Sequence, residues 1–469
     1  MKTIPARNPR TGRIDGEIEN WTPAGIGGLA NELRRAQTAW QDNGLSCRRR
    51  ALLDWRDELD RRSEAIAEAL TADTGRRQIS RLEVQKPINL IDYWLQQAPA
   101  LLEGEAGRSS MAPSVDWRHV HAPYQLVGVI SPWNFPLALA SLDAIPALLA
   151  GCAVIVKPSE VTSRFVRPLA ESVASIPELR AVFRFITGDG SAGAGLVDAV
   201  DAVCFTGSVA TGRKVAVHAA QKFIPAFLEL GGKDPAIVTA DADLGNAVRA
   251  IARSAFGATG QACQSLERAY VAREVYDEFL AALVECARSI RLNDADLDAG
   301  EIGPLIFAGQ AATIRGHLYE ALARGAQVHC GGKIENHGGG DWCRPTVVSE
   351  VSQDMLIMRE ETFGPVITVS PFDSASEAVA LANESEYGLS AAVFAGSQAE
   401  AEAIAARLEV GGVSINDASL TAAVNDVEKN SFRLSGMGGS RMGPSGMSRF
   451  LRKRALLHQT APAASIHGG

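Results

Sequence analysis

The chain is poor in aromatic residues, 6% of 469, and it lacks any apolar run of the ~18 residues that a membrane-crossing helix needs. Its longest such stretch, Ala144 to Val156, is interrupted by Pro146 and Gly151, so no transmembrane segment is expected. Positive charge is not in excess either. Lys and Arg number 46 against 54 Asp and Glu, a formal net charge of −8, which gives no general attraction to phosphate backbones and makes nucleic acid an unexpected partner. The short basic run Arg449, Arg452, Lys453, Arg454 is read as a solvated or subunit-facing surface. Met1 to Arg10 contain no apolar core of a secretory signal, so the protein is expected in the cytoplasm. The seven cysteines are odd in number and include no Cys-x-x-Cys pair, which argues against a disulfide framework and against a zinc site. The eight histidines include no His-x-x-x-His pair, and His119 and His121 have no further ligand types beside them. No metal is expected.

What is present is the composition of a soluble globule, 46% hydrophobic and 21% charged, in a chain long enough for two or three domains at about 150 residues each. Residues 26–41 and 49–72 repeat apolar positions at helical spacing and stop at Thr74-Gly75. From about 124 onward short apolar strands alternate with helical stretches: Gln125–Ile130, Cys152–Val156, Val182–Thr187 and Ala202–Phe205. A second alternating block is read at Ala236–Val238, Ala269–Val271, Ala326–His329, Val366–Val369, Ala391–Phe394 and Gly412–Ile415. Such alternation predicts βαβ units and parallel sheets, hence an α/β protein of two Rossmann-like domains joined near 231. The Gly231-Gly232 pair reads as a hinge, and the tail after Pro462 as loose.

Several segments are suited to chemistry. Gly188-Asp-Gly190-Ser-Ala-Gly193 matches Gly-x-Gly-x-x-Gly after a predicted strand, but the acidic residue expected about 20 positions later is missing. A cofactor loop and a plain glycine-rich turn fit it equally. Phe205-Thr-Gly207-Ser208 also leaves a strand and opens a helix, where backbone N–H groups face an anion and Ser208 serves as cap or ligand. Cys263, in Gly260-Gln-Ala-Cys263-Gln-Ser, is a nucleophile or an inert buried thiol. Glu229, in Leu-Glu-Leu-Gly-Gly-Lys, is a general base or a solvated charge. Asn134, between the prolines of Ser131-Pro-Trp-Asn134-Phe-Pro, is an oxyanion donor or a turn cap.

Taken in order, nine segments resemble the aldehyde dehydrogenase superfamily along nearly the whole chain. They are Asn8-Pro, Ser-Pro-Trp-Asn134-Phe-Pro, Lys157-Pro-Ser-Glu160, Phe-Thr-Gly207-Ser208, Leu-Glu229-Leu-Gly-Gly-Lys, Gly-Gln-Ala-Cys263, Glu360-Glu361-Thr-Phe363-Gly-Pro, Tyr387-Gly-Leu-Ser and Ile415-Asn416-Asp. The resemblance implies Cys263 as nucleophile, Glu229 as general base, and Asn134 with the Cys263 backbone N–H as oxyanion hole. It places Lys157 and Glu160 at the adenosine ribose, Ser208 at the pyrophosphate, and Glu361 with Phe363 at the nicotinamide ribose and ring. Ile130, Ser131, Trp133, Gly188, Gly207 and Leu230 complete the expected cofactor contacts. It further implies a cofactor-binding domain over 1–103 and 124–231, a catalytic domain over 232–432, and oligomerisation or bridging segments at 104–123 and 450–469 that add a small β extension. A homodimer or homotetramer is expected. The usual late string Phe-Gly-Gly-x-Lys-x-Ser-Gly is replaced by Phe432-Arg-Leu-Ser435-Gly436, which leaves the aldehyde unspecified.

The implied reaction is oxidation of a small-molecule aldehyde to the acid through a thiohemiacetal and a thioester on Cys263. NAD is the expected cofactor, with NADP possible, because Glu160 repels the extra phosphate and Lys157 partly offsets it. A CoA-acylating semialdehyde dehydrogenase has no need of a water-activating carboxylate, so Glu229 favours hydrolysis. A cysteine hydrolase needs a histidine partner, and none of the nine segments holds one. A non-catalytic binding relative is a further alternative, which intact Cys263, Glu229 and Asn134 oppose.

Overall fold

The computed structural model describes residues 2–462; the expected loose tail after Pro462 and the end of the 450–469 segment, 463–469, lie outside them. The chain opens on an antiparallel hairpin, Lys2–Arg7 with Ile14–Asn20. The helix Pro23–Asp42 follows, its first turn fixed by Pro23 and by Thr22, whose hydroxyl accepts from the Gly25 N–H at 3.2 Å. Ile26, Leu29, Ala30, Leu33, Gln37 and Trp40 form its buried stripe. The predicted helix over 49–72 is two helices, Gly44–Arg61 and Ser63–Thr74, parted at Arg62. Apolar periodicity continues across that break, so it does not register in the sequence. Gly75, at φ +67°, ends the second helix in the left-handed conformation.

The first large sheet has the order Gly436–Met437, Ala226–Glu229, Ala202–Thr206, Leu126–Ser131, Ala153–Pro158, Phe183–Phe185. Its five longer-standing members are parallel in the order 3-2-1-4-5 of one doubly wound half, and Gly436–Met437 adds an antiparallel edge. The expected strand Val182–Thr187 shortens to Phe183–Phe185, because the helix Pro177–Val182 takes its start. The long apolar stretch from Ala144 is the end of a buried helix, Pro136–Ala150, turned at Gly151 (φ +105°) into a buried strand. That helix begins beneath the carboxylate of Glu83, which accepts from the N–H groups of Leu137 and Ala138 at 2.7 and 3.2 Å.

The second sheet runs Gln327–Cys330, Thr346–Ser349, Val366–Phe372, Leu266–Ala272, Asp234–Val238, Ser390–Phe394, Gly412–Ile415. All its pairings are parallel except at Gln327–Cys330, an antiparallel edge strand. Separate apolar clusters cover its two faces. A third, antiparallel sheet joins Leu451–Gln459 to Val115–Pro123 and Ala106–Arg108. One part of the expected basic surface is not surface. The Arg449 guanidinium is buried and pairs with Asp143, which also holds Arg441; two guanidiniums sharing one buried carboxylate are a packing device, invisible to charge counting. Among the described residues no helix is long and apolar enough to cross a membrane, and no group of three or more His, Cys, Asp or Glu is placed to hold a metal ion.

Candidate active site

Loops leaving the carboxyl ends of the first sheet meet loops entering the amino ends of the second around a cavity of about 780 Å³. In the first sheet the meeting point is the switch between Leu126–Ser131 and Ala202–Thr206, where a doubly wound sheet opens a crevice. Pro132, Trp133 and Asn134 leave one strand there, and Gly207 and Ser208 the other. From the second sheet come Cys263, ahead of Leu266, and Glu361 with Phe363, ahead of Val366.

Cys263 sits in a loop held far from relaxed geometry. Ala258, Thr259 and Gly260 have φ of 52°, 62° and 63° in succession. A Cβ at Gly260 would stand 2.1 Å from the Gly364 carbonyl oxygen, so that close approach requires glycine. The two non-glycine residues cost of order 1–3 kcal/mol each. Buried hydrogen bonds hold them: Thr259 Oγ1 donates to Gly303 O at 3.0 Å, and the Gln261 amide spans Pro304 O (3.2 Å) and the Ile306 N–H (3.0 Å). Burial pushes the Cys263 thiol up to about 12, and the carboxyl of Glu361 adds to this while Lys429 opposes it.

Asn134 is buried, and its side-chain amide donates to Gln261 O at 3.0 Å, which leaves one amide N–H unspent. Arg76, itself buried, donates to the Asn134 carbonyl and, at 3.2 Å, to Ala258 O. One guanidinium thus ties the asparagine loop to the cysteine loop. Glu229 ends the strand Ala226–Glu229, and its carboxylate accepts from Ser431 Oγ at 3.0 Å. Ser431 immediately precedes the segment that departs from the expected late string, and that segment adds backbone contacts. Gly436 pairs with Glu229, and Ser435 accepts the Leu230 N–H through its carbonyl at 2.8 Å.

The nicotinamide end expected of Glu361 and Phe363 is anchored by a buried ion pair that sequence reasoning missed. Glu267 accepts from Lys233 Nζ and from the N–H groups of Thr362 and Phe363, at 2.8 Å each for its shortest backbone contacts. Burial lowers the Lys233 ammonium and pushes the Glu361 carboxyl up to about 8. Glu361 accepts the Gly232 N–H at 3.2 Å. Gly231 makes room for it, since a Cβ there would lie 2.5 Å from its carboxylate; the glycine pair is a close-approach device. Trp133 lies edge-to-face with Phe363, centroids 5.2 Å apart, and 6.2 Å from Phe307. This aromatic group was not expected from the low aromatic content, because its members are spread over 230 residues and only the fold gathers them.

At the far end, Lys157 Nζ stands 3.6 Å from Glu160, and burial lowers the lysine while Glu160 raises it. Ser208 caps the helix Val209–Gln221, accepting from Thr211 N at 3.3 Å. The Gly-x-Gly-x-x-Gly string divides. Gly188 lies away from the cavity, packed so that a Cβ would meet Ala192 Cβ at 2.5 Å, whereas Gly190 and Gly193 line it. The expected cofactor contact at Gly188 is therefore corrected to a packing glycine. Asp189 takes the first N–H groups of its own helix, from Ser191 (2.8 Å) and Ala192 (3.4 Å), so that terminus offers no anion site. Gly190 and Gly193 leave open space, with no heavy atom nearer than 3.9 Å to a Cβ built on either. A flat base or ribose fits there against Ala194, Val197 and Val215. Together with Lys157, Glu160 and Ser208 this donor set fits an extended dinucleotide.

Of the expected site residues, Ile130, Ser131, Trp133, Asn134, Lys157, Glu160, Gly207, Ser208, Leu230, Cys263, Glu361 and Phe363 line one cavity. Glu229 stands behind it, among the charged neighbours of Cys263. Arg76, Glu83 and Glu267 gave no sequence signal, since a charged residue that will be buried reads like one that will be solvated.

The model of the aldehyde dehydrogenase family matches residues 1–456. A provisionally named succinate-semialdehyde dehydrogenase [NADP(+)] of Mycolicibacterium smegmatis is 36% identical over 449 residues, 95% of this chain and 87% of that protein. Among solved structures, a provisionally assigned aldehyde dehydrogenase from Anabaena variabilis is 50% identical with a TM-score of 0.97, covering 99% of both chains. A betaine aldehyde dehydrogenase of Staphylococcus aureus, solved with NAD+, is 30% identical with a TM-score of 0.93, covering 98% of this chain and 95% of that one.

Proposed function

The chain belongs to the aldehyde dehydrogenase family, and from that premise we propose how its own residues oxidise an aldehyde to the carboxylic acid with NAD(P). The observation that carries the reading is the convergence of Cys263 and Asn134 on one cavity of about 780 Å³ lined also by Lys157, Ser208 and Glu361, with Glu229 bound by Ser431.

The Cys263 thiolate attacks the aldehyde carbon, and the free amide N–H of Asn134 with the Cys263 backbone N–H holds the oxyanion of the thiohemiacetal. The dinucleotide, when bound, accepts the hydride. Lys157 and Glu160 hold the adenosine ribose, Ser208 the pyrophosphate, and Glu361 with Phe363 the nicotinamide ribose and ring. Trp133 and Phe307 close the aromatic wall and keep water from the reacting carbon. Glu229 then takes a proton from the water that hydrolyses the thioester. A carboxylate held in this place supports hydrolysis over transfer to CoA.

Glu160 disfavours a 2′-phosphate, whereas Lys214 and His218 at the same end of the cavity bring basic groups to it. NAD is the preferred dinucleotide on this balance, with NADP accepted. The exposed third sheet supports self-association into a homodimer or homotetramer, in line with bridging roles for 104–123 and 450–469. Cofactor-binding (1–103, 124–231) and catalytic (232–432) units follow the division into two large sheets. Seven free cysteines suit a reducing compartment and a cytoplasmic location.

The test is a panel of aliphatic, aromatic, acidic and cationic aldehydes, including succinate semialdehyde and betaine aldehyde, run with both dinucleotides. NADH is expected in equal amount to acid formed, with the higher kcat/KM for NAD. In Glu229→Gln, mass spectrometry is expected to find an acyl adduct on Cys263, and full turnover without an adduct would remove Glu229 from the mechanism.

A further inference from the structure

Two buried cations lie near the reacting thiol, and only one is neutralised. Arg441 donates to Asp143 Oδ2 at 2.7 Å, to Leu139 O at 2.9 Å and to Thr206 Oγ1 at 3.1 Å. Lys429 Nζ is fully enclosed yet has no hydrogen-bond partner, among the described residues one of very few buried polar atoms left so. Its charged surroundings are known: Glu229, Cys263 and Asp234 attract it, and Arg441 repels it. Its placement is not accidental slack. The Lys429 N–H donates to Ser440 Oγ at 3.2 Å. The stem passes Gly412, where an added Cβ would come within 3.2 Å of Lys429 Cδ. Two residues later Ser431 binds the Glu229 carboxylate. One short segment therefore delivers a hydroxyl to the general base and an unpartnered ammonium whose charged neighbours include both the base and the nucleophile.

A buried, unpaired ammonium is expensive unless something of opposite charge forms beside it. We propose that Lys429 is a positioning residue whose fixed positive charge stabilises the Cys263 thiolate and holds the Glu229 carboxylate toward it. This deepens the reading above and rests on Cys263 being the nucleophile. In the resting enzyme Cys263 is surrounded by negative or acidic groups from three directions: Glu361 on the loop before Val366, Asp234 on the neighbouring strand and Glu229 on the first sheet. Ionisation of the thiol, its proton passing to solvent, adds one more negative charge to that ring. Lys429 opposes those groups at Cys263, and Arg441, the other cation that feels the thiol, is already held by Asp143. The ammonium keeps its own proton throughout, so the role is electrostatic and consumes nothing.

The measurement is alkylation of Cys263 by iodoacetamide as a function of pH, read on the Cys263 peptide by mass spectrometry because other thiols also react. It needs no aldehyde and no turnover. Each unit of upward shift in the thiol leaves about tenfold less thiolate at a given pH below its pKa. Lys429→Met is expected to move the alkylation profile to higher pH, with alkylation at least about tenfold slower near neutrality, while Lys429→Arg stays within about threefold of the parent. Dinucleotide binding by each variant reports that the fold is kept. An unchanged profile in Lys429→Met overturns the proposal. So does an equal shift in both variants, which marks a packing role, and so does an unchanged profile with a raised KM confined to carboxylate-bearing aldehydes, which marks a substrate anchor. Cys263→Ser that still reduces NAD at the parental rate would instead overturn the nucleophile assignment, so the two failures are distinguishable.

Discussion

Asn134 shows how much a single side chain does here, because its amide has two hydrogens and the structure spends one of them. The bond to Gln261 O fixes the plane of the amide against the cysteine loop, and Arg76 fixes the backbone behind it. The second hydrogen is thereby aimed without rotational freedom, which is what makes an oxyanion donor effective. Asn134→Ala is expected to lower kcat by about 10²–10³ with a much smaller change in dinucleotide affinity; a loss confined to KM would show that the amide only places the substrate. The residues proposed to carry chemistry stand out in the sequence because each sits in a short string of glycines, prolines and polar groups. Arg76 does not, although it joins two of those strings, since its partners are main-chain carbonyls and leave no trace in side-chain spacing.

Among elements, the strands were legible and the loops that aim the site were not. Parallel strands buried on both faces read as continuous apolar runs, so Ala153–Pro158, Ala202–Thr206 and Asp234–Val238 fell within a residue or two of expectation. The direction of Gln327–Cys330 was not legible, because burial patterns do not encode which way an edge strand runs. Of the two glycine-rich helix starts, the sequence favoured Phe205-Thr-Gly207-Ser208 as the anion site, but it gave no sign that Asp189 spends the first N–H groups of the other helix on itself. The loop bearing Glu361 and Phe363 depends on Glu267, at the start of the strand Leu266–Ala272 beside the one that the loop enters. Glu267→Gln leaves Lys233 buried without its counter-charge, a change that typically costs about 3–5 kcal/mol. The expected result is a lowered melting temperature together with weaker NAD binding, measured by calorimetry. Lowered stability with unchanged affinity would show that the loop keeps its position without the pair.

For the whole molecule, what remains unexplained by one chain is the outer strand Leu451–Gln459. It is nine residues long and pairs on one side only, with Val115–Pro123. Leu457 is 71% exposed and Leu456 41% on that strand, with Val120 at 37% beside it. A long, unpaired edge that exposes Leu456 and Leu457 templates further pairing unless something covers it, and a second copy of the chain offers a self-complementary cover. Burying one leucine contributes about 2 kcal/mol, and twofold symmetry counts it twice, so the contact at Leu457 is worth about 4 kcal/mol, or roughly 10³ in the dissociation constant. Leu457→Glu replaces that contact with two desolvated carboxylates. Light scattering on the eluting protein is therefore expected to give a multiple of the chain mass for the parent and a smaller species for Leu457→Glu at the same concentration. The active site is built within one chain, so the smaller species is expected to retain dinucleotide binding. A parent that elutes as a monomer, or a variant that keeps the parental mass, would mean that this edge is not where copies meet.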